Sequence, residues 1–191
     1  MEPSLGEYFD DIAKQRLKRL KSGCILLSEE RLRDPNFESS IVLICAHNDD
    51  GAFGFVVNRP SHMPLCEVFS VDVPLRDCKR KIYIGGPVRQ EELQLLQITD
   101  NPRQHSLEIA PRVFLGGEWS TLEEILDTDE NATRLFLGYS GWGAGQLEGE
   151  ILQGAWEVFN VDLYKLFTNP EQNLIGNVET LRNYLSEVSS A

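Results

Sequence analysis

The sequence has no surplus of basic charge: 18 Lys and Arg stand against 30 Asp and Glu, a formal net charge of −12. A chain of that sign repels polyphosphate unless its few cations cluster, and it repels anionic membrane surfaces as well. Direct recognition of duplex DNA is therefore disfavoured, and no helix-turn-helix signature argues the other way. Cysteine is scarce. Cys24, Cys45, Cys66 and Cys78 make no CxxC pair, so neither a zinc nor a thiol-redox motif is predicted. Cys24 and Cys45 sit inside apolar runs, where a free thiol behaves as a small hydrophobe. No apolar run approaches the length of a membrane span, and residues 1–21 lack the apolar centre of a signal peptide. These absences predict a protein without membrane association, in a reducing compartment, the cytoplasm.

What is present suits one α+β domain. A chain of 191 residues, 41% hydrophobic and 25% charged, can bury a core without a metal or disulfide staple. Residues 1–22 read as an N-terminal helical extension, with residues 23–191 as the domain proper. In the extension Asp10 and Asp11 precede a cluster of Lys14, Arg16, Lys18, Arg19 and Lys21. Acids before bases complement the helix dipole. Ile12, Leu17 and Leu20 supply a thin apolar stripe that would pack this helix on the domain, and the cations could alternatively dock an acidic partner.

Two short, continuous apolar runs, 23–28 and 40–46, read as strands buried on both faces. Asp50-Gly51 is hairpin chemistry, so strand 40–46 should pair with strand 52–57. Gly54, between Phe53 and Phe55, implies a bulge or a close backbone approach. Leu65, Val68 and Phe69 fit a turn or two of helix. Further strands are predicted at 81–84, 93–98, 113–115, 134–139 and 156–161. Ser120-Thr121-Leu122-Glu123 has the form of a capping box and should open a helix at 121–128. Helices are also predicted at 144–152, after Asp162, and at 176–187.

The most unusual segment is Gly138-Tyr139-Ser140-Gly141-Trp142-Gly143-Ala144-Gly145-Gln146. It reads as a strand entering a glycine-rich turn before a helix, a geometry whose backbone N–H groups could hold an anion. The Lys-Ser/Thr pair of a phosphate loop is missing, and so is dinucleotide spacing. Ser140 as a nucleophile elbow would need glycine at 142, where Trp142 stands, and His47, His62 and His105 all precede it. His47 has the titration range of a general base but no evident nucleophile beside it. Glu148 and Glu150, two apart on a helix, cannot face one another as a carboxylate pair. No catalytic residue, cofactor or metal is predicted. Asn58, Arg59, Gly85, Gly86, Ser140, Trp142 and Gln146 are the candidate ligand-binding residues, should the three turns that carry them converge.

Taken together, residues 23–28 with Asp34 and Phe37, the run Gly51-Ala52-Phe53-Gly54-Phe55-Val56-Val57-Asn58-Arg59-Pro60, Gly85-Gly86-Pro87, the glycine-tryptophan segment through Glu148 and Glu150, and Trp156 resemble the AlgH/YqgE family of bacterial proteins. The resemblance covers about residues 23–169. It implies an α+β domain of mixed strands folded into a pseudo-barrel with helices outside, in the bacterial cytosol. It implies no reaction and no catalytic residues, although some members carry the label of transcriptional regulators. The leading expectation is a non-catalytic regulatory or protein-interaction module acting through a protein partner. The alternative is a small-ligand binder or an enzyme, with its site near Trp142 and Arg59.

Overall fold

A computed structural model describes residues 5–63, 67–68, 80–168 and 174–189. Among the described residues nine strands form one sheet: β1 (Ile25–Ser28), β2 (Ile41–Asn48), β3 (Gly51–Val56), β4 (Ile82–Ile84), β5 (Val88–Ile98), β6 (Ser106–Ala110), β7 (Val113–Gly116), β8 (Thr133–Gly143) and β9 (Trp156–Phe159). The order is β6-β7-β5-β8-β3-β2-β1-β9, with β4 parallel to β8 and every other pair antiparallel. Helices α1 (Leu5–Arg19), α2 (Leu122–Leu126), α3 (Gln146–Leu152), α4 (Leu163–Thr168) and α5 (Val178–Ser189) pack around it. Val68 lies in a further helical stretch, while Leu65, Phe69, Cys66 and Cys78 lie outside the described residues.

The sheet curls into a half-barrel because its two ends share one core. Ile25 and Leu27 of β1 belong to the same buried cluster as Ile109 of β6 and Val113 of β7. Ser22 Oγ ties them, donating to the carbonyls of Cys45 at 2.7 Å and Ile109 at 3.2 Å. The cluster is closed by Leu163, Leu166 and Phe167 of α4 and by Val178, Leu181 and Leu185 of α5. The outer face carries a second cluster. There Cys24, Leu26, Val42 and Ile44 meet Leu147 and Ile151 of α3 and Leu20. Alternate residues of β1 and β2 thus feed two different cores, which is why both runs are apolar throughout.

The 40–46/52–57 hairpin forms as predicted, with Asn48 opposite Gly51 and Asp50 N donating to Asn48 Oδ1. The bulge falls on the partner strand at Cys45, and Gly54 supplies the close approach: a Cβ there would lie 2.3 Å from the Leu43 carbonyl oxygen. Four expectations shift. β5 begins at Val88, five residues early, because its first residue pairs with Tyr139 beyond an irregularity. β6 was not predicted; Leu107 and Glu108 are exposed, so the segment shows no apolar run. The cap of α2 sits one residue later, with Glu124 N donating to Thr121 Oγ1 and Ser120 N to Glu124 Oε2. Helix 144–152 starts at Gln146, because β8 continues through the glycines.

Of residues 1–22, Leu5–Arg19 form helix α1, which lies on the domain. α1 packs on α3 and β9, and Arg16 joins it to Glu29 at 2.8 Å and Glu157 at 3.4 Å.

Candidate functional site

The glycine-tryptophan segment is strand rather than turn. Gly141 pairs with Phe53 and Trp142 with Ala52, so the strand reverses only at Ala144 and Gly145. Period-two alternation puts Ser140 and Trp142 inward and leaves Gly141 and Gly143 exposed. Ser140 is fully buried and its hydroxyl donates to the Gly85 carbonyl at 2.9 Å. Gly86 takes φ +156 and approaches β8 so closely that a Cβ would meet Tyr139's carbonyl at 2.3 Å. The glycines at 85 and 86 therefore serve backbone contact with β8. In the turn before the following helix the Gly143 N–H is taken by Gln146 Oε1 at 3.1 Å, and no side chain caps the helix at Gly145.

Trp142 stacks on Phe37 at 5.5 Å and meets Trp156 edge-on at 6.2 Å. Glu150 joins the two indoles: its Oε2 accepts from Trp142 Nε1 at 3.0 Å and Trp156 Nε1 at 2.8 Å, while Oε1 accepts from Gln146 Nε2 at 3.0 Å. Glu148 turns elsewhere, to His47 Nε2 at 2.6 Å. Burial raises the Glu148 pKa, but the His47 hydrogen bond, a backbone N–H and the His47 charge together outweigh it and bring the carboxyl below its ordinary range. The two carboxylates thus have separate partners, as their spacing requires.

Asn58 and Arg59 do not join this cluster. Asn58 Oδ1 accepts from Ile41 N at 2.9 Å and its Nδ2 donates to the Ser39 carbonyl at 2.8 Å. Arg59 donates to the carbonyls of Asn36 at 2.7 Å and Glu38 at 3.2 Å and to Ser40 Oγ at 3.1 Å. Both residues clamp the loop before β2. The structure brings together Gly85, Gly86 and Ser140, and, around the indoles, Trp142, Gln146 and Pro87. The Arg59 carbonyl accepts from Ile84 N at 2.8 Å, beside Gly85, while the Asn58 and Arg59 side chains turn to the loop before β2 and not to the cleft at Trp142.

Around Trp142 and Gln146 lies an open cleft of about 380 Å³, walled across by Arg31, Arg33 and Asp34. Arg31 also borders two neighbouring clefts. One, about 240 Å³, runs between α1 and α3 with Phe9, Ile12 and Leu152. The other, about 830 Å³, reaches Glu179 and Arg182 of α5. Arg31 and Arg33 are exposed and have no carboxylate partner among the described residues. Phe9 is 57% exposed and Leu152 52%. Sequence reasoning missed this junction, because Arg31 and Arg33 look like ordinary loop charges until α1 and α3 are placed beside them. Among the described residues no three His, Cys, Asp or Glu side chains are grouped to hold a metal ion, and no helix is long and apolar enough to cross a membrane.

Comparison with known proteins gives a consistent answer. A family model described as AlgH-like matches residues 25–181. A UPF0301 protein of Chlorobaculum tepidum is 33% identical over 162 residues, covering 81% of this chain and 83% of its own. Another, of Hahella chejuensis, is 35% identical over 170 residues, covering 86% and 92%. The solution structure of the AlgH protein of Pseudomonas aeruginosa superposes with a TM-score of 0.68 at 28% identity, over 98% of this chain and 93% of that one. A crystal structure of a Corynebacterium diphtheriae protein shares the fold, with a TM-score of 0.61 at 24% identity over 75% and 77% of the two chains.

Proposed function

The chain belongs to the AlgH-like family, and from that premise we propose that it is a non-catalytic interaction module of the regulatory kind. Its partner would be another protein, held through an acidic segment that also carries an apolar side chain. The observation that carries this reading is Arg31, which has no ionic partner among the described residues and stands where three clefts meet, beside exposed Phe9 and Leu152. On a chain of net charge −12, an unpaired Arg31–Arg33 rim next to exposed apolar side chains favours an acidic, partly apolar occupant.

The competing readings have less support. Duplex DNA would need the cations of α1, but Arg16 is held by Glu29 and Glu157, and Arg19 donates to the Val158 carbonyl. Lys14, Lys18 and Lys21 remain, too few for firm phosphate binding. A small-ligand or enzyme site at Trp142 and Arg59 is weakened because Arg59, Ser140 and the Trp142 indole already bond within the protein. A cytoplasmic setting belongs to the same reading, since buried free Cys24 and Cys45 suit a reducing compartment.

Panning random displayed peptides on the purified chain tests the proposal. Peptides joining Asp or Glu to Leu, Ile or Phe should be enriched, and they should bind Arg31→Glu and Leu152→Asp variants roughly tenfold or more weakly. Enrichment of basic peptides, no enrichment, or undiminished binding to both variants would overturn it.

A further inference from the structure

A separate cavity of about 460 Å³ opens where β4, β8 and α4 meet, lined by Arg134, Tyr83, Asn58, Leu166, Phe167 and Ile175 among others. Its volume lies in the range of small-ligand sites. Two arginines border it, and they differ. Arg80 is 8% exposed, and its guanidinium is filled by the carbonyls of Leu126, Thr128 and Thr133 and by the Thr128 hydroxyl. Arg134 is not filled. Its Nε is buried without an acceptor; beyond the interaction with the Tyr83 hydroxyl it has a long hydrogen bond, from Nη2 to the Phe167 carbonyl at 3.5 Å. No carboxylate among the described residues forms an ion pair with it. The guanidinium lies 4.9 Å from the Phe167 ring centre and 5.7 Å from that of Tyr83.

Burial lowers the Arg134 pKa, an effect opposed by the Tyr83 hydroxyl and the Glu130 charge, yet a guanidinium stays protonated in proteins. A partly buried cation with an unused donor edge is costly unless an anion occupies that edge. We propose that this cavity binds a small organic monocarboxylate, its carboxylate on the Arg134 guanidinium and its apolar body against Leu166, Phe167 and Ile175. The paired N–H groups of a guanidinium match the two oxygens of a carboxylate. A single negative charge fits better than the double charge of phosphate, because Glu130 stands on the rim and exposed Lys81 is the remaining lining cation. The apolar wall requires a hydrocarbon portion, which excludes the smallest polar acids. This site does not involve Arg31, Phe9 or Leu152, so it stands or falls independently of the docking surface.

The test uses the full chain and a matched panel of benzoate, phenylacetate, hexanoate, their primary amides and inorganic phosphate. At millimolar concentration the carboxylates should raise the melting temperature and shift the Arg134 Nε–Hε resonance, while the amides and phosphate should do neither. Arg134→Gln should weaken carboxylate binding roughly tenfold or more, and Lys81→Ala much less. If Arg134→Gln does not fold, the Arg134 resonance of the unmodified protein decides. Absence of any carboxylate effect, phosphate preferred over benzoate, or carboxylate binding that leaves the Arg134 resonance unmoved would each overturn the proposal.

Discussion

Replacing Glu150 by alanine should be among the more damaging single changes outside the apolar core, although the side chain is only partly buried. The carboxylate satisfies two indole N–H donors, at 3.0 Å from Trp142 and 2.8 Å from Trp156. Trp156 is completely buried, so its orphaned N–H would have no water to turn to and would bear the full cost, about 1–3 kcal/mol. Trp142 borders the open cleft, so water could recover part of its loss. The sum is about 2–4 kcal/mol, a large share of an ordinary domain stability of about 5–15 kcal/mol. For a chain of this length it corresponds to a fall in Tm of roughly 4–16 °C. Glu150→Gln keeps an acceptor oxygen and should lose about 1 kcal/mol, the difference between a charged and a neutral acceptor. Urea unfolding followed by tryptophan fluorescence measures both. A cycle with Trp156→Phe isolates the pair, since removing the indole N–H first should remove most of the penalty of Glu150→Ala. An Ala variant within about 0.5 kcal/mol of the parent protein would refute the reasoning.

Gly54→Ala places a methyl group 2.3 Å from the Leu43 carbonyl oxygen inside the central β2–β3 pair. Neither backbone can move without breaking the ladder, so a loss of about 3 kcal/mol or an insoluble product is expected; a urea midpoint close to the parent's would contradict this. Burial pushes the Cys24 thiol up to about 11 and that of Cys45 higher still. At pH 8 the reactive thiolate of Cys24 is then about one part in a thousand. Iodoacetamide should label neither cysteine in the folded protein and both in urea, as read by peptide mapping, and native labelling of Cys45 would show that the core opens.

The strands that feed both cores were legible because their burial is written locally. Ile25–Leu27 of β1 and Ile41–Ala46 of β2 are apolar at every position, and Asp50-Gly51 marks the reversal between β2 and β3. Asp162 caps α4 through the Lys165 N–H, and Val178, Leu181 and Leu185 of α5 lie on one face, as their spacing requires. The α+β class and the family were legible for the same reason, since short-range patterns carried them. β6 escaped notice because an edge strand with exposed Leu107 and Glu108 has no periodic signal. The glycines near Trp142 misled in the opposite direction. Glycine usually marks a turn, but here Gly141 and Gly143 stay in strand through their pairing with β3.

The candidate sites depended on contacts far apart along the chain. No local pattern says that Glu150 reaches both indoles, that Arg59 is consumed by the loop before β2, or that Arg31 meets α1 and α3 at one junction. Arg134, at the mouth of an apolar strand, reads locally as a solvated charge. Its unmet donor arises when residues 83, 134, 167 and 175 are drawn around one cavity. Amino-acid order specifies which segments must be buried, because hydrophobicity and turn chemistry act over a few residues. Which polar groups find partners depends on how those segments close in space, since a hydrogen bond needs its two ends within about 3 Å whatever the distance along the chain.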